Sequence, residues 1–334
     1  MKLDGFKEYL QERKLDIDKI DAAVNIINEF GTFLAKQKKQ VENASYDDLY
    51  NFSAYLIENK KNSFENYVTL LRFAYFKKNN EMIVASLEIL DGREMIENFS
   101  KRLINEFGEK LRNQIFEGIE VPPLGIHPKN KPAVTKKLVE RFLAKVDHEK
   151  CKTFFEVGLR SKYTESYKKP TELFHQTNDI DEFLKIRHQN LVKTLENHLQ
   201  EGTLFFTQEI DEEVISYVKQ NPTIEAGIRE GNQVIITKIP YMAKHFIHET
   251  NEKKKRYYYC HNPWIREALI EEDLPISPIF CGCSAGYFKN FWEAVFDQSV
   301  RVEVLESVIR GDKICKFALH LPQGIINKIE KTRV

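Results

Sequence analysis

The sequence predicts a multidomain protein of the α and α+β classes, with an N-terminal helical bundle and C-terminal helices packed on an antiparallel sheet. Its 334 residues exceed what one hydrophobic core usually supports. Apolar residues recur at helical spacing along the first 90 residues. After Gly231, short runs rich in β-branched residues indicate strands that alternate with helices.

The first 92 residues are predicted to form a module of four or five short helices joined by brief turns. Ser45 and Asp48 form a variant capping box, and Ser63 precedes a further apolar stripe. Short helices of this kind are stable only when their apolar faces pack together, so a small bundle is expected.

The helix order of residues 3 to 90, with the segments Phe6-Lys-Glu-Tyr-Leu10 and Tyr67-Val-Thr-Leu-Leu-Arg72-Phe73, resembles the SAM-like core-binding domain of tyrosine recombinases. The resemblance implies helices that clamp nucleic acid. However, residues 1 to 91 contain 13 Lys and Arg against 15 Asp and Glu, which is poor provision for phosphate contacts. This charge balance favours a scaffold role or homodimerisation over nucleic-acid binding. The chain also has no His-x-x-Arg motif, so strand cleavage is not expected.

Paired prolines and a glycine interrupt the helical pattern between Val121 and Pro132. Because proline lacks a backbone N–H donor, residues 93–132 are predicted as a helix followed by a Pro-rich linker. Residues 133–334 are predicted as an α+β domain. Its first helices are expected at about 133–147, 149–160, 179–200 and 209–219.

The end of the chain is predicted as mixed α and β structure. Gln233–Pro240 and Arg256–Cys260 are predicted as strands, with a short helix at Tyr241–Glu249 between them. A helix is expected to start at Ser277-Pro278 and continue through Phe296. A β-hairpin follows it.

Within that hairpin, alternation along Val300–Ile309 places Glu306 on the same face as three valines. If Arg310–Lys313 closes a tight turn, Glu306 lies opposite Phe317 on the returning strand. A carboxylate on an apolar face must pair with a cation such as Arg266, bind a metal, or hold a raised pKa. Carboxylates of this kind are enriched at functional sites.

Four of the five cysteines lie near the C-terminus, at Cys260, Cys281, Cys283 and Cys315, and His261 follows the first of them. The sequence leaves three interpretations open: a zinc site with ligands drawn from the four cysteines and His261, a reactive thiolate, or inert core thiols. Residues spaced by two positions point about 200° apart on a helix, so a metal shared by Cys281 and Cys283 requires an extended turn there.

In the thiolate interpretation, Cys283 lies in the first turn of the helix, and the helix dipole and His261 lower its pKa. Cys283 or Cys281 is then the catalytic nucleophile, His261 the base or orienting group, and Glu306 an acid–base carboxylate. A pocket rich in aromatic side chains is typical of small-molecule sites. The predicted ligand-binding side chains are Trp264, Arg266, Tyr287 and Trp292.

The segment Cys281-Gly-Cys283-Ser-Ala-Gly286-Tyr287, followed by a hairpin with Glu306, Gly311 and Cys315, resembles the 4-vinyl-reductase-like small-molecule-binding domains. It is also similar to proteins described as L-2-amino-thiazoline-4-carboxylic acid hydrolases. The resemblance covers roughly residues 180 to 325 and implies an α+β fold that binds a small organic ligand.

The overall composition predicts a protein without a strong net charge and without a membrane span. Fifty basic residues balance fifty acidic ones, and no long apolar run predicts a membrane span. Met1–Gly5 lacks the apolar core of a signal peptide, so a cytoplasmic location with reduced thiols is expected. The predicted function is binding of a small molecule or of zinc, with a ligand sensor as one form and a cysteine-dependent hydrolase as the alternative.

Overall fold

The computed structural model describes residues 3–161, 164–271 and 274–332, with side chains up to residue 330. The chain forms two compact units. The first contains the residues up to Arg93 together with Glu120–Lys131. The second contains Glu94–Ile119 and the chain from Pro132 onward. The segment predicted as helix and linker is therefore divided between the two units.

The first unit is helical, as its sequence predicts. The predicted capping box is present, since Ser45 Oγ accepts a hydrogen bond from the Asp48 N–H and the Asp48 carboxylate accepts one from the Ser45 N–H. Four phenylalanines, at positions 6, 30, 52 and 73, are fully buried in its core. Its helices are α1 (Asp4–Glu12), α2 (Ile17–Ala35), α3 (Tyr46–Glu58), α4 (Phe64–Lys77) and α5 (Asn80–Leu90).

A strap made of Glu120–Lys131 packs on these helices. Ser53 Oγ donates a hydrogen bond of 2.6 Å to the Gly125 carbonyl, and Lys131 Nζ donates one of 3.0 Å to the Glu88 carbonyl. Gly125 has a φ of +98°, and a Cβ there would lie 1.7 Å from Tyr67 Oη. Glycine is therefore required at this position.

In the second unit, helices pack around a small antiparallel sheet. The strands are β1 (Ile228–Glu230), β2 (Gln233–Thr237), β3 (Arg301–Glu306) and β4 (Lys316–His320), in the order β1-β2-β4-β3. The helices are α6 (Met95–Phe107), α7 (Glu109–Phe116), α8 (Lys131–Lys145), α9 (His148–Glu156), α10 (Thr164–Thr177), α11 (Ile180–Glu201), α12 (Glu212–Gln220), α13 (Ala243–His248), α14 (Glu252–Tyr259), α15 (Gly282–Phe296) and α16 (Gln323–Thr332). The predicted fold class, helical at the N-terminus and α+β at the C-terminus, is confirmed.

Helix α15 packs on the sheet and closes one apolar core. Its side chains Phe288, Trp292 and Val295 lie in the same buried cluster as Val302 and Phe317 from the strands. Among the residues that the structure describes, no helix combines the length and apolar character needed to span a bilayer.

The strand predicted at Arg256–Cys260 is wrong, because these residues form the end of α14. Asn251 caps that helix by accepting the Lys253 and Lys254 N–H groups, each at 3.0 Å. Only Tyr259 of the three tyrosines is fully buried. The cap and the helical backbone hydrogen bonds therefore outweigh the strand propensity of the tyrosine run.

The predicted hairpin register is also wrong. Val304 pairs with Phe317, and after a bulge Glu306 pairs with Lys316. The tight turn does not form, because the connection contains a 3-10 turn at Val308–Arg310. The Ser307 N–H donates to the Asp312 carboxylate at 2.8 Å and holds this longer loop together.

Candidate functional site

A small cavity lies where β2, the β3–β4 connection, the end of α14 and the start of α15 meet. The space open to the centre of a water molecule is about 10 Å³, roughly what one water needs. Its walls combine thiols, apolar groups and a few charged side chains. They consist of Lys238, Tyr259, Cys260, His261, Asn262, Ile265, Cys281, Ser284, Val304, Glu306, Ser307, Val308, Cys315 and Phe317.

The thiols predicted to cluster do come together here, although they are not equivalent. Cys260, Cys281 and Cys315 line the cavity. Cys283 does not line it, but Asn262 from the cavity wall reaches its sulfur at 3.5 Å. Its thiol donates a hydrogen bond of 2.7 Å to the Phe280 carbonyl.

Cys283 lies in the first turn of α15, as predicted, but the direction predicted for its pKa is wrong. Burial raises the pKa of Cys283 to about 12 and that of Cys315 to about 12. Burial also raises the pKa of Cys260, and that of Cys281 well above its usual value. The loss of hydration outweighs the helix dipole, so the thiols stay protonated at neutral pH.

The zinc interpretation gains no support from the geometry. Within residues 3–161, 164–271 and 274–332, no three His, Cys, Asp or Glu side chains form a group that could hold a metal ion. Cys281 ends a 3-10 turn that runs directly into α15, so the extended turn needed for a metal shared with Cys283 is absent there. A set of ligands made of Cys260, Cys281, Cys283 and Cys315 stays a prediction.

His261 and Glu306, the predicted acid–base groups, both line the cavity. His261 Nε2 lies 2.5 Å from the Ile239 carbonyl, which can only accept, so this nitrogen carries the proton. Glu306 lines the cavity together with Val304 and forms an ion pair with Lys316. The predicted pairing of this carboxylate is thus found, but with a lysine instead of an arginine.

The four predicted ligand-binding side chains do not line the cavity. Trp264 and Trp292 are buried in apolar clusters. Arg266 is 2 % exposed, and its guanidinium lies 4.3 Å from the centre of the Tyr241 ring. Tyr287 is 37 % exposed and approaches the site through its contact with Lys238.

Lys238, which sequence reasoning missed, is the most unusual side chain of the cavity. Its Nζ makes no hydrogen bond and no ion pair with any residue that the structure describes. It lies 4.9 Å from the centre of the Tyr287 ring and 5.5 Å from that of Phe288. The side chain keeps some accessible surface, but protein atoms crowd its ammonium group, and this burial lowers the pKa of Lys238.

Two further buried charges lie near Lys238. The Glu225 carboxylate acts electrostatically on both Lys238 and Arg187, and burial raises the pKa of Glu225. Burial lowers the pKa of Arg187 to about 10, and its Nε has no hydrogen-bond partner in the described chain. These two cations therefore face one carboxylate, and Arg160 adds a further positive charge that acts on Lys238.

The Glu225 backbone is held in an unfavourable conformation, with a φ of +57°. The Arg187 guanidinium donates a hydrogen bond of 3.0 Å to the Glu225 backbone carbonyl, and the Ile239 N–H donates one of 3.3 Å to the Glu225 carboxylate. Non-glycine residues adopt this region at a cost, and such strain concentrates at functional sites.

The fold and the cavity define an α+β domain with a closed thiol and lysine pocket, joined in one chain to a helical unit. A model of a family of unknown function, DUF6144, matches residues 226–326. That range contains every side chain that lines the cavity. No curated protein and no solved structure matches the chain.

Proposed function

We propose that the C-terminal domain binds a small anionic organic molecule at this cavity. Lys238 pairs with a carboxylate of the ligand, while Phe317 and the thiols form the less polar wall. The resemblance to 4-vinyl-reductase-like ligand-binding domains supports the same type of function. Five free cysteines suit a reducing compartment, so the cytoplasm is the proposed location.

The unpaired ammonium of Lys238 carries this proposal. A buried charge without a partner is costly, so the group either loses its proton or acquires an anion. The local excess of positive charge from Lys238 and Arg187 over Glu225 favours the anion.

Binding requires the cavity to open, because its present space is on the order of one water molecule. Tyr287 is the natural element to move, since its ring lies against Lys238 and is partly at the surface. The cysteine-dependent hydrolase predicted as the alternative draws no support here, because protonated thiols are poor nucleophiles.

The test measures the melting temperature with increasing acetate, oxalate and benzoate at constant ionic strength. A ligand present at 100 times its dissociation constant stabilises a protein by about 2.7 kcal/mol. We expect at least one carboxylate to raise the melting temperature of the wild type and of Lys244→Met, an exposed-lysine control, but not that of Lys238→Met. An equal rise in Lys238→Met, or no rise in any protein, would contradict the proposal.

A further inference from the structure

We propose that Lys238 condenses with the carbonyl carbon of a small 2-oxo acid to form an imine, an inference that rests on the anion-binding function proposed above. The anionic group brings the ligand to Lys238, and the adjacent carbonyl then lies within reach of the same nitrogen. The site would thus hold its ligand covalently and reversibly.

The surroundings of Lys238 favour this reaction. An amine attacks a carbonyl only through its lone pair, and here no described acceptor or carboxylate holds the Nζ protons. The flanking rings of Tyr287 and Phe288 give an apolar environment. Burial also lowers the pKa of Lys238, which raises the share of neutral amine, as in known imine-forming lysines.

The charged and titratable groups around Lys238 are compatible with a protonated imine. Glu225 favours positive charge at Nζ, whereas Arg160 opposes it. Cys260 and Cys315 also act on Lys238, but both remain protonated near neutral pH. The carboxylate of the bound 2-oxo acid supplies the missing negative charge next to the new bond.

The chemical balance needs no other reactant. The ammonium loses a proton, and the nitrogen lone pair forms a bond to the carbonyl carbon as the C=O π bond breaks, which leaves the former carbonyl oxygen as an alkoxide. That oxygen takes a proton from the attacking nitrogen and becomes a hydroxyl. A second proton lets the hydroxyl leave as water while the nitrogen lone pair forms the protonated C=N bond. Water accepts the first proton and returns it to the leaving hydroxyl, because Glu306, which lines the same cavity, is already ion-paired with Lys316.

The experiment treats the full chain with glyoxylate, the smallest 2-oxo acid, and cyanoborohydride, which reduces a protonated imine to a stable amine. Peptide mass spectrometry then compares Lys238 with the exposed Lys244 at short times. Burial lowers the pKa of Lys238 and so raises its share of neutral amine at neutral pH, and we therefore expect Lys238 to label faster than Lys244. Oxalate should slow the labelling of Lys238 alone.

Lys238→Arg separates this proposal from the anion-binding function, because arginine keeps the positive charge but cannot form the imine. We expect this variant to retain the increase in melting temperature caused by oxalate and to lose the adduct. If wild-type Lys238 labels no faster than Lys244 while oxalate still stabilises the protein, imine formation is wrong and anion binding stands. If none of acetate, oxalate and benzoate stabilises either protein and Lys238 labels slowly, both proposals are wrong.

Discussion

A lysine inside a protein is stabilising only when an anion or an acceptor meets its ammonium group. Among the residues that the structure describes, none forms a hydrogen bond or an ion pair with Lys238 Nζ, and the Glu225 carboxylate that acts on it electrostatically also acts on Arg187. The free domain therefore carries an electrostatic cost at this position. Residues retained at such a cost are often those that bind a ligand.

Replacing Lys238 by methionine should stabilise the ligand-free protein. Methionine keeps most of the apolar contacts of the lysine stem and removes the buried charge, so we expect the free energy of unfolding to rise by about 1–3 kcal/mol. Denaturant titration measures this change. The surface variant Lys244→Met should change it by less than about 0.5 kcal/mol.

The difference in stability between the wild type and Lys238→Met should depend on pH. The unfolded lysine has a pKa near 10.5, whereas the folded one is lower, so the unfolded state binds more protons between the two values. The wild type should therefore gain stability relative to Lys238→Met as the pH rises through that window. A gap that stays constant up to pH 10.5 would show that Lys238 is not buried as a cation.

The buried thiols should have the opposite effect, lowering the stability of the folded protein as the pH rises in the alkaline range. In the unfolded chain the Cys283 thiol has a pKa near 9.0, whereas burial raises its folded pKa to about 12, so the unfolded state releases the proton at lower pH. Above pH 9.0 the stability of the wild type should fall more steeply than that of Cys283→Ala, by up to about 1.4 kcal/mol per pH unit. Urea unfolding at several pH values measures the slopes. Ser284→Ala should follow the wild type, and parallel curves for Cys283→Ala would contradict the assignment.

Helix α15 is positioned by the absence of side chains at two of its residues. A Cβ on Gly286 would lie 2.3 Å from the Gly158 backbone, and one on Gly282 would lie 2.9 Å from Phe155. The helix can therefore approach α9 and the residues after it closely. This approach sets where Cys281 and Cys283 lie relative to the cavity.

Gly286→Ala should destabilise the second unit. The added methyl group meets backbone atoms that cannot rotate away, and overpacking of this kind costs about 1–3 kcal/mol. Thermal unfolding followed by circular dichroism measures the loss. Gly5→Ala is the matched helical control, because its nearest neighbour is a phenylalanine ring at 3.5 Å, and it should be neutral or slightly stabilising.

The helices could be predicted from sequence because their apolar spacing and caps are local signals, as Ser45 and Asp48 show. The hairpin register could not be predicted in this way. A 3-10 turn and a bulge change which residues pair across the two strands, and no local sequence pattern indicates either feature. Glu306 and Val304 both line the cavity, but the bulge between them breaks the alternation that was predicted to put them on one face. The same alternation through Val234 and Ile236 reaches Lys238, so the central residue of the site had a signal in the sequence.

At the scale of the molecule, composition predicted several units but not how the chain is shared between them. Prolines indicate where a helix stops, yet they do not show that Glu120–Lys131 returns to the first unit. That return depends on contacts between residues far apart in sequence, such as Ser53 with Gly125. The cavity likewise depends on side chains from four separate segments, and pairwise distances of that kind are set only by the complete fold.

The strap at Glu120–Lys131 has a consequence for how the chain matures during synthesis. The ribosome must release α6 and α7, which belong to the second unit, before the first unit can acquire its last segment. When those two helices leave the ribosome, the residues from Pro132 onward, which form most of the second unit, have not yet been translated. Early in translation the nascent polypeptide therefore carries a bundle that lacks its final segment, followed by two amphipathic helices whose apolar faces have nothing yet to pack against.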